Sequence, residues 1–197
     1  MQFRDFFQQY TTGILFTLAG AKATNAQNEP LDFFNACGDF ATRCKAITEA
    51  GAKIMIVGNG GSAAIASHQS FDWWKNGKLR TMAFNDSSLL TGGANDFGYP
   101  DVFSQPIQMF GKKEDIVIAI SSSGQSANIV NAAKKAREMG CFTMTLSAFK
   151  PDNPLRSAGD LNIYLETMEY GHAELGHETI LHTILDWHIG RRDGKIL

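Results

Sequence analysis

The amino-acid sequence predicts an α/β fold, a three-layer αβα sandwich with a five-stranded parallel sheet of the flavodoxin-like kind. Three observations support this. Short apolar runs rich in β-forming residues alternate with helical stretches from residue 53 onward. The stretches between the runs are long enough to be the crossovers that parallel strands require. With 44% hydrophobic and 19% charged residues, the 197-residue chain has the composition of one ordinary domain, which we expect to span residues 1–197.

Two helices are expected before the sheet. Aromatic and aliphatic residues recur at helical spacing from Phe3 to Leu18, which indicates an amphipathic helix. A polar linker at 24–28 follows, and Pro30 suits the first turn of a second helix that ends at Gly51. Because a small sheet domain hardly needs this apolar extension, residues 1–50 are expected to pack in an oligomer.

The remaining elements follow in alternation. The strands are expected at residues 54–57, 81–84, 116–120, 142–146 and 161–165. The helices are expected at residues 62–75, 87–94, 126–139 and 173–190, with a short turn near Asn153. Ligands of such sheets bind beyond the carboxyl ends of the strands, so the loops that follow the strands are the places to seek function.

The charge balance and the cysteines exclude several classes of protein. The 18 basic and 20 acidic residues give a net charge of −2, which argues against a nucleic-acid partner. Three cysteines without paired spacing indicate reduced thiols in a cytoplasmic protein. The apolar stretch at 13–21 is too short for a bilayer, which needs about 20 apolar residues, and Arg4 and Asp5 together leave no net charge before it, unlike a signal peptide. A membrane partner is therefore not expected.

A glycine-rich loop, Gly58–Ser62, separates the first predicted strand from its helix. Such a turn exposes backbone N–H groups, and the helix N-terminus favours an anion. Gly58, Gly60 and Ala63 also match a dinucleotide fingerprint, although the acid at Asp86 is poorly placed to bind a ribose. A tight turn without a ligand is the third interpretation.

A serine-rich loop, 121–126, ends the third predicted strand. Four hydroxyls at a helix N-terminus form an array of neutral donors suited to a phosphate monoester. The Walker lysine pattern is lacking from the sequence, which argues against a nucleotide triphosphatase. A simple helix cap is the alternative role for Ser126, but it does not account for the other serines.

Titratable residues at helical spacing occur on two predicted helices. His68 and Asp72 lie about 40° apart around the first sheet helix. Glu174, Glu178 and His182 step along one face of the last helix. Two imidazoles with carboxylates could bind a divalent metal such as zinc or share acid and base roles. The other histidines are expected to be structural: His172, His177 and His188.

In combination, these motifs resemble the sugar isomerase (SIS) domain and, within it, the phosphoheptose isomerases. The matching segments are Gly58–Ser62 with His68, then 95–99 (NDFGY), then 121–126 (SSSGQS). The resemblance covers nearly the whole chain. It implies conversion of sedoheptulose 7-phosphate to D-glycero-D-manno-heptose 7-phosphate through an enediol, for the heptose of lipopolysaccharide or capsule. It also implies a zinc ion in each site and a homotetramer with the sites between subunits.

The resemblance assigns roles residue by residue. It places the substrate on Asn59, Gly60, Gly61, Ser62, Asn95, Asp96, Ser121, Ser122, Ser123 and Ser126, and the metal on His68, Asp72, Glu174 and His182. Family members typically have Glu where Asp72 stands and Gln where Glu174 stands, and Asn76 stands near the place of a basic residue. The resemblance implies that Asp72 is the base with His182 as its partner, and Glu174 is a competing base in this chain, so catalysis is expected from Asp72, Glu174 and His182. Our hypothesis is that Glu174 and His182 transfer the proton while His68 and Asp72 complete the metal site.

Two other functions compete with the isomerase. A non-catalytic SIS-domain adaptor or sensor could keep the phosphate loops without acid and base groups, and the presence of His68, Asp72, Glu174 and His182 together favours the enzyme. A dinucleotide-dependent oxidoreductase would use the glycine loop but give the serine loop no role.

Overall fold

A seven-stranded sheet lies at the centre of the computed structural model, which describes residues 1–196. Its strands are β1 (Lys22–Asn25), β2 (Pro30–Leu31), β3 (Ile54–Gly58), β4 (Thr81–Ala83), β5 (Ile116–Ser121), β6 (Phe142–Ser147) and β7 (Leu161–Tyr164). The spatial order is β2-β1-β7-β6-β5-β3-β4, and β3 to β7 are mutually parallel. The five predicted strands are thus confirmed, in the flavodoxin-like order.

Seven α-helices accompany the sheet over the described residues. They are α1 (Phe3–Ala19), α2 (Phe33–Glu49), α3 (Gly61–Lys75), α4 (Ser87–Phe97), α5 (Ser104–Phe110), α6 (Ala127–Glu138) and α7 (Tyr170–Arg192). Two 3₁₀ turns, Tyr99–Asp101 and Pro154–Ser157, complete the regular structure. The second of them is the turn expected near Asn153, whereas α5 was not predicted.

The predicted linker and the start of the second helix are wrong. Of the expected linker at 24–28, Thr24 and Asn25 belong to β1, which pairs antiparallel with β7, and Pro30 lies in the two-residue edge strand β2. Proline is tolerated there because an edge strand has a free N–H side. The helix α2 begins at Phe33 instead, since the Asp32 carboxylate accepts a hydrogen bond from the backbone N–H of Asn35 and caps it.

Apolar side chains pack on both faces of the sheet. One face of the sheet, against which α2, α3 and α7 pack, carries the side chains of Ile54, Ile56 and Ile118. The other face, against which α5 and α6 pack, carries those of Met55 and Val117. Alternate residues of a strand point to opposite faces of the sheet. Because every residue of β3 and β5 is buried, helices cover the sheet on both faces, which confirms the three-layer sandwich. The arrangement brings α3 and α7 together on one layer.

Helix α1 lies at the periphery and exposes much of its apolar surface. Tyr10 packs on His172 of α7, with ring centroids 4.6 Å apart, whereas Phe3 and Phe16 are 79% and 74% exposed. Phe34, at the start of α2, is 80% exposed. Such a density of exposed aromatic residues marks an interaction surface. Among the described residues, no helix combines the length and apolarity that crossing a membrane requires.

Candidate active site

The strand order reverses between β3 and β5, which are direct neighbours in the sheet. Their parallel register pairs Gly58 with Ile120, so both strands end at nearly the same level. The glycine turn (Gly58–Ser62) and the serine turn (Ser121–Ser126) therefore lie side by side beyond the carboxyl edge. This is the switch point at which doubly wound sheets bind their ligands.

The glycine turn is built so that the backbone can bend sharply into α3. Gly60 has φ of +53°, a conformation that favours glycine. A Cβ at Gly58 would overlap the backbone carbonyl group of Ser62, so the strand and the first turn of α3 approach too closely for any side chain. Ser62 itself is buried in that first turn. The turn thus presents backbone groups rather than side chains to the site.

The Asn59 side chain is held by two residues, of which Tyr99 belongs to the motif 95–99 and Asn128 lies outside the predicted motifs. Its amide group exchanges two hydrogen bonds with the Asn128 amide, at 2.8 and 2.9 Å. The hydroxyl of Tyr99 also donates to Asn59 Oδ1 at 2.9 Å. These bonds connect the glycine turn to α6 and to the segment after α4. Neither contact could be predicted from local sequence, because Asn128 and Tyr99 meet Asn59 only once separate segments come together.

The serine turn concentrates hydroxyl groups at the N-terminus of α6. Ser121 Oγ lies 3.2 Å from Ser126 Oγ and 3.5 Å from Ser123 Oγ, and Ser122 Oγ is buried without a hydrogen-bond partner among the described residues. Although Ser126 is the N-cap residue, its side chain makes no capping hydrogen bond. The first N–H groups of a helix also lack intrahelical partners. Together these donors can surround a phosphate group.

Two imidazoles and a carboxylate from α3 and α7 converge near each other. His68 Nε2 lies 3.4 Å from Asp72 Oδ2, and the ring centroids of His68 and His182 are 5.2 Å apart. One potential ligand atom from each of these three residues lies within 4.8 Å of the others. Two imidazole nitrogens and one carboxylate oxygen match the donor set of catalytic zinc sites, which keep a fourth position open. The residues therefore fit a divalent metal ion.

The two glutamates of α7 are placed differently from our expectation. Glu174 is not in the three-residue group; its carboxylate lies against Gly61, where a Cβ would overlap it. Instead, Glu178 Oε1 lies 2.7 Å from His68 Nδ1 and 3.2 Å from His182 Nε2. The spacing of Glu174 and Glu178 predicts that both lie on one face of α7, but it predicts no role for Glu178.

The remaining predicted substrate residues lie at the end of α4. Asn95 and Asp96 are exposed in its last helical turn, where Asn95 Nδ2 donates to Asp96 Oδ1 at 2.9 Å. At the start of the same helix, the Asp86 carboxylate accepts hydrogen bonds from the N–H groups of Ser88 and Leu89. Asp86 thus uses its Oδ1 to cap a helix, which weakens the dinucleotide interpretation.

Burial removes the other reactive side chains from consideration. Burial raises the pKa of Cys37 to about 12 and of Cys141 to about 11, and it raises the pKa of Cys44 as well, so these thiols stay protonated at neutral pH. Burial lowers the pKa of His177, which is fully enclosed, to about 4. His188 Nε2 hydrogen bonds to the Gly77 carbonyl oxygen at 3.0 Å inside the protein. These groups serve the fold.

Comparison with known proteins agrees with the resemblance. The SIS domain family matches residues 34–148. A phosphoheptose isomerase of Pelobacter propionicus is 34% identical over 154 residues, which cover 75% of this chain and 81% of that protein. A phosphoheptose isomerase of Helicobacter pylori is 32% identical over 140 residues, covering 68% of this chain and 72% of that protein.

Solved structures share the fold over nearly the full length. A phosphoheptose isomerase from Neisseria gonorrhoeae matches with a TM-score of 0.79 and 24% identity, covering 95% of this chain and 99% of the other. One from Francisella tularensis matches with a TM-score of 0.81 and 21% identity, covering 97% and 100%. Since the sequence relatives exceed 30% identity over most of their length and the fold extends over the whole domain, the chain belongs to the phosphoheptose isomerase family of SIS-domain proteins.

Proposed function

We propose that this protein is an aldose-ketose isomerase that converts sedoheptulose 7-phosphate to D-glycero-D-manno-heptose 7-phosphate. The observation that carries the proposal is the convergence of His68, Asp72 and His182 on the helices that pack beside the glycine turn. The chain thus combines a phosphate-binding turn with acid and base groups. Its place among the phosphoheptose isomerases supports this choice of substrate.

The serine turn is the proposed phosphate site. The hydroxyls of Ser121, Ser122, Ser123 and Ser126 would bind the phosphate together with the N-terminal N–H groups of α6. Neutral donors hold a phosphate without the strong ion pair that an arginine would form, which suits a substrate that must be released. Asn59, Gly60, Gly61 and Ser62, with Asn95 and Asp96, would line the sugar chain.

The proton transfer is assigned to Glu174 and His182. The base removes a proton from C1 of the ketose, beside the C2 carbonyl group, and the resulting enediol accepts a proton at C2 to give the aldose. The contact of the Glu174 carboxylate with Gly61, in the turn that would line the sugar, supports this role. His182 would transfer protons between the two oxygens.

His68 and Asp72, with His182 nearby, would hold a zinc ion. Glu174, the fourth residue that the resemblance assigns to the metal, lies beside the glycine turn. A bound zinc supplies Lewis-acid stabilisation of the negative charge on the enediolate oxygens. The shorter Asp72 side chain still lies 3.4 Å from His68 Nε2 and is largely buried, so it remains within reach of the group.

The biological setting is part of the same proposal. The product would enter lipopolysaccharide or capsule heptose synthesis in the cytoplasm. The enzyme would be a homotetramer with its sites between subunits, because the exposed apolar residues of α1 and Phe34 need a partner surface. Light scattering at micromolar concentration is expected to give a tetramer. A monomer would contradict this assembly.

Turnover tests the proposal directly. Purified protein is incubated with sedoheptulose 7-phosphate, with added zinc and separately with a chelator, and the sugars are followed by NMR. We expect the aldose to form in the presence of zinc and much more slowly with the chelator. No turnover in either condition, with the phosphosugar still raising the melting temperature, would favour a non-catalytic phosphosugar-binding adaptor or sensor.

A further inference from the structure

A chain of side-chain hydrogen bonds extends from the core of α3 to His68. Trp73 Nε1 donates to Gln69 Oε1 at 2.8 Å, and Gln69 Nε2 donates to Glu178 Oε1 at 3.0 Å. The same glutamate oxygen lies 2.7 Å from His68 Nδ1. Trp73 and Gln69 are fully buried. The chain thus connects two buried side chains, through Glu178, to the half-exposed His68, and hydrogen-bonded chains of this kind hold their members in place.

The chemistry of the groups fixes the direction of each bond. An indole N–H can only donate, so the Gln69 oxygen is the atom that faces Trp73. The Gln69 nitrogen must then face Glu178, whose carboxylate oxygen accepts. Because an ionised carboxylate can only accept, His68 Nδ1 is the donor to Glu178, and a neutral imidazole in this orientation carries its lone pair on Nε2. That nitrogen is the one that faces Asp72 Oδ2, at 3.4 Å.

We infer that Glu178 is a positioning residue that holds His68 in the Nδ1–H tautomer and directs Nε2 toward the metal beside Asp72. This inference rests on the proposed metal-assisted isomerase. Carboxylates that accept from the distal N–H of a metal-binding histidine fix its orientation and increase its basicity. Glu178 Oε1 also lies 3.2 Å from His182 Nε2, so one carboxylate contacts both imidazoles.

The cost of this arrangement argues against a purely structural ion pair. Glu178 Oε2 is buried and has no hydrogen-bond partner among the described residues. A buried acceptor without a partner is unfavourable, since it loses its bonds to water. A carboxylate in a solvent-exposed ion pair would keep its hydrogen bonds to water at that oxygen. The observed position is accounted for when the carboxylate is held in place to orient the histidine.

The test uses the resting protein with zinc alone and no sugar. Zinc affinity is measured by competition with a chromophoric chelator for wild type, Glu178→Ala, Glu178→Gln and the control Asp186→Asn. Asp186 is an exposed carboxylate on the same helix, so its variant matches the change in charge. We expect Glu178→Ala to weaken zinc binding about 10- to 100-fold. Glu178→Gln, which keeps an acceptor oxygen, should weaken it less, and Asp186→Asn should match wild type.

The tautomer of His68 gives a second readout. In the metal-free wild type, ¹⁵N NMR of the imidazole nitrogens should show the proton on Nδ1, and Glu178→Ala should shift the population toward Nε2–H. Zinc affinity of Glu178→Ala within twofold of wild type, an Nε2–H tautomer in wild type, or no zinc binding by wild type would each overturn the inference. If Glu178→Ala does not fold, Glu178→Gln and the wild-type tautomer still decide.

The outcome is separable from that of the proposed function, because neither readout involves turnover. Absence of isomerase activity with the expected zinc affinities and tautomer would refute the isomerase and leave the role of Glu178 toward His68 standing. Full isomerase activity with unchanged zinc affinity in Glu178→Ala would do the reverse.

Discussion

The serine turn and the group formed by His68, Asp72 and His182 differ in proposed function and in the parts of the chain that build them. The serine turn comes from one contiguous segment and offers neutral donors, whereas the histidine group joins two helices and offers titratable atoms. His68 and its partner Glu178 are 110 residues apart. The comparison separates binding from chemistry: changes in the serine turn should alter KM, and changes beside the histidine group should alter kcat.

The largest effect is expected for Glu174→Gln. Loss of a general base typically lowers a rate by about 10² to 10⁴-fold, so kcat should fall by that factor while KM changes little. Steady-state kinetics with sedoheptulose 7-phosphate measures both constants, and Asp186→Asn is the matched control. Full activity of Glu174→Gln would show that another residue is the base. It would also contradict the proposed separation of substrate binding from catalysis.

The second effect is a loss of folding stability in acid, which limits the pH range in which the activities of variants can be compared. Burial lowers the pKa of His177 from 6.5 to about 4, so the unfolded chain binds its proton first as pH falls. The neutral histidine thus contributes stability that is complete above pH 6.5 and is lost between about pH 6.5 and 4. The loss can reach roughly 3 kcal/mol by linkage.

Chemical denaturation at several pH values, with chelator present so that metal binding does not contribute, measures this loss. In His177→Gln the side chain stays neutral, and its stability should fall less steeply over the same range. Equal slopes for the two proteins would show that His177 does not titrate as described. Once the loss of stability has been measured, any further decline of activity in acid can be attributed to the catalytic groups.

The smallest effect is expected for Ser122→Ala. Its buried hydroxyl would lose one hydrogen bond to a charged phosphate, which is worth about 1.5 to 3 kcal/mol. KM for the phosphosugar should therefore rise at least about tenfold with kcat nearly unchanged. The exposed Ser157, which lies in the turn Pro154–Ser157, provides the control Ser157→Ala. A fall in kcat without a change in KM would contradict the assignment of the serine turn to binding.

The difference between the two regions also explains what the sequence could predict. The five parallel strands and the two turns follow from local patterns, because an apolar run or a serine cluster is contained in one segment. The strands β1 and β2 could not be predicted, since these short and partly polar segments are ordered by strand pairing, β1 with β7 and β2 with β1. The start of α2 was misread because proline fits both a helix start and an edge strand.

Within the site, the limit of prediction lies at contacts between helices. Spacing showed that Glu174 and Glu178 share a face of α7, but the relative placement of α3 and α7 decides which carboxylate meets His68. About one helical turn separates Glu174, beside Gly61, from Glu178, which contacts the imidazoles. The contacts of Asn128 and Tyr99 with Asn59 could not be predicted for the same reason, because each residue comes from a different element.

The most direct test of the isomerase is the reaction run in D₂O. Wild-type protein with zinc is given sedoheptulose 7-phosphate, and the product is analysed by ¹H and ¹³C NMR. An enediol mechanism with an exchangeable base predicts D-glycero-D-manno-heptose 7-phosphate that carries deuterium at C2 in a measurable fraction of molecules. Absence of the aldose, or an aldose with no deuterium at C2, would contradict the account of proton transfer given by Glu174 and His182.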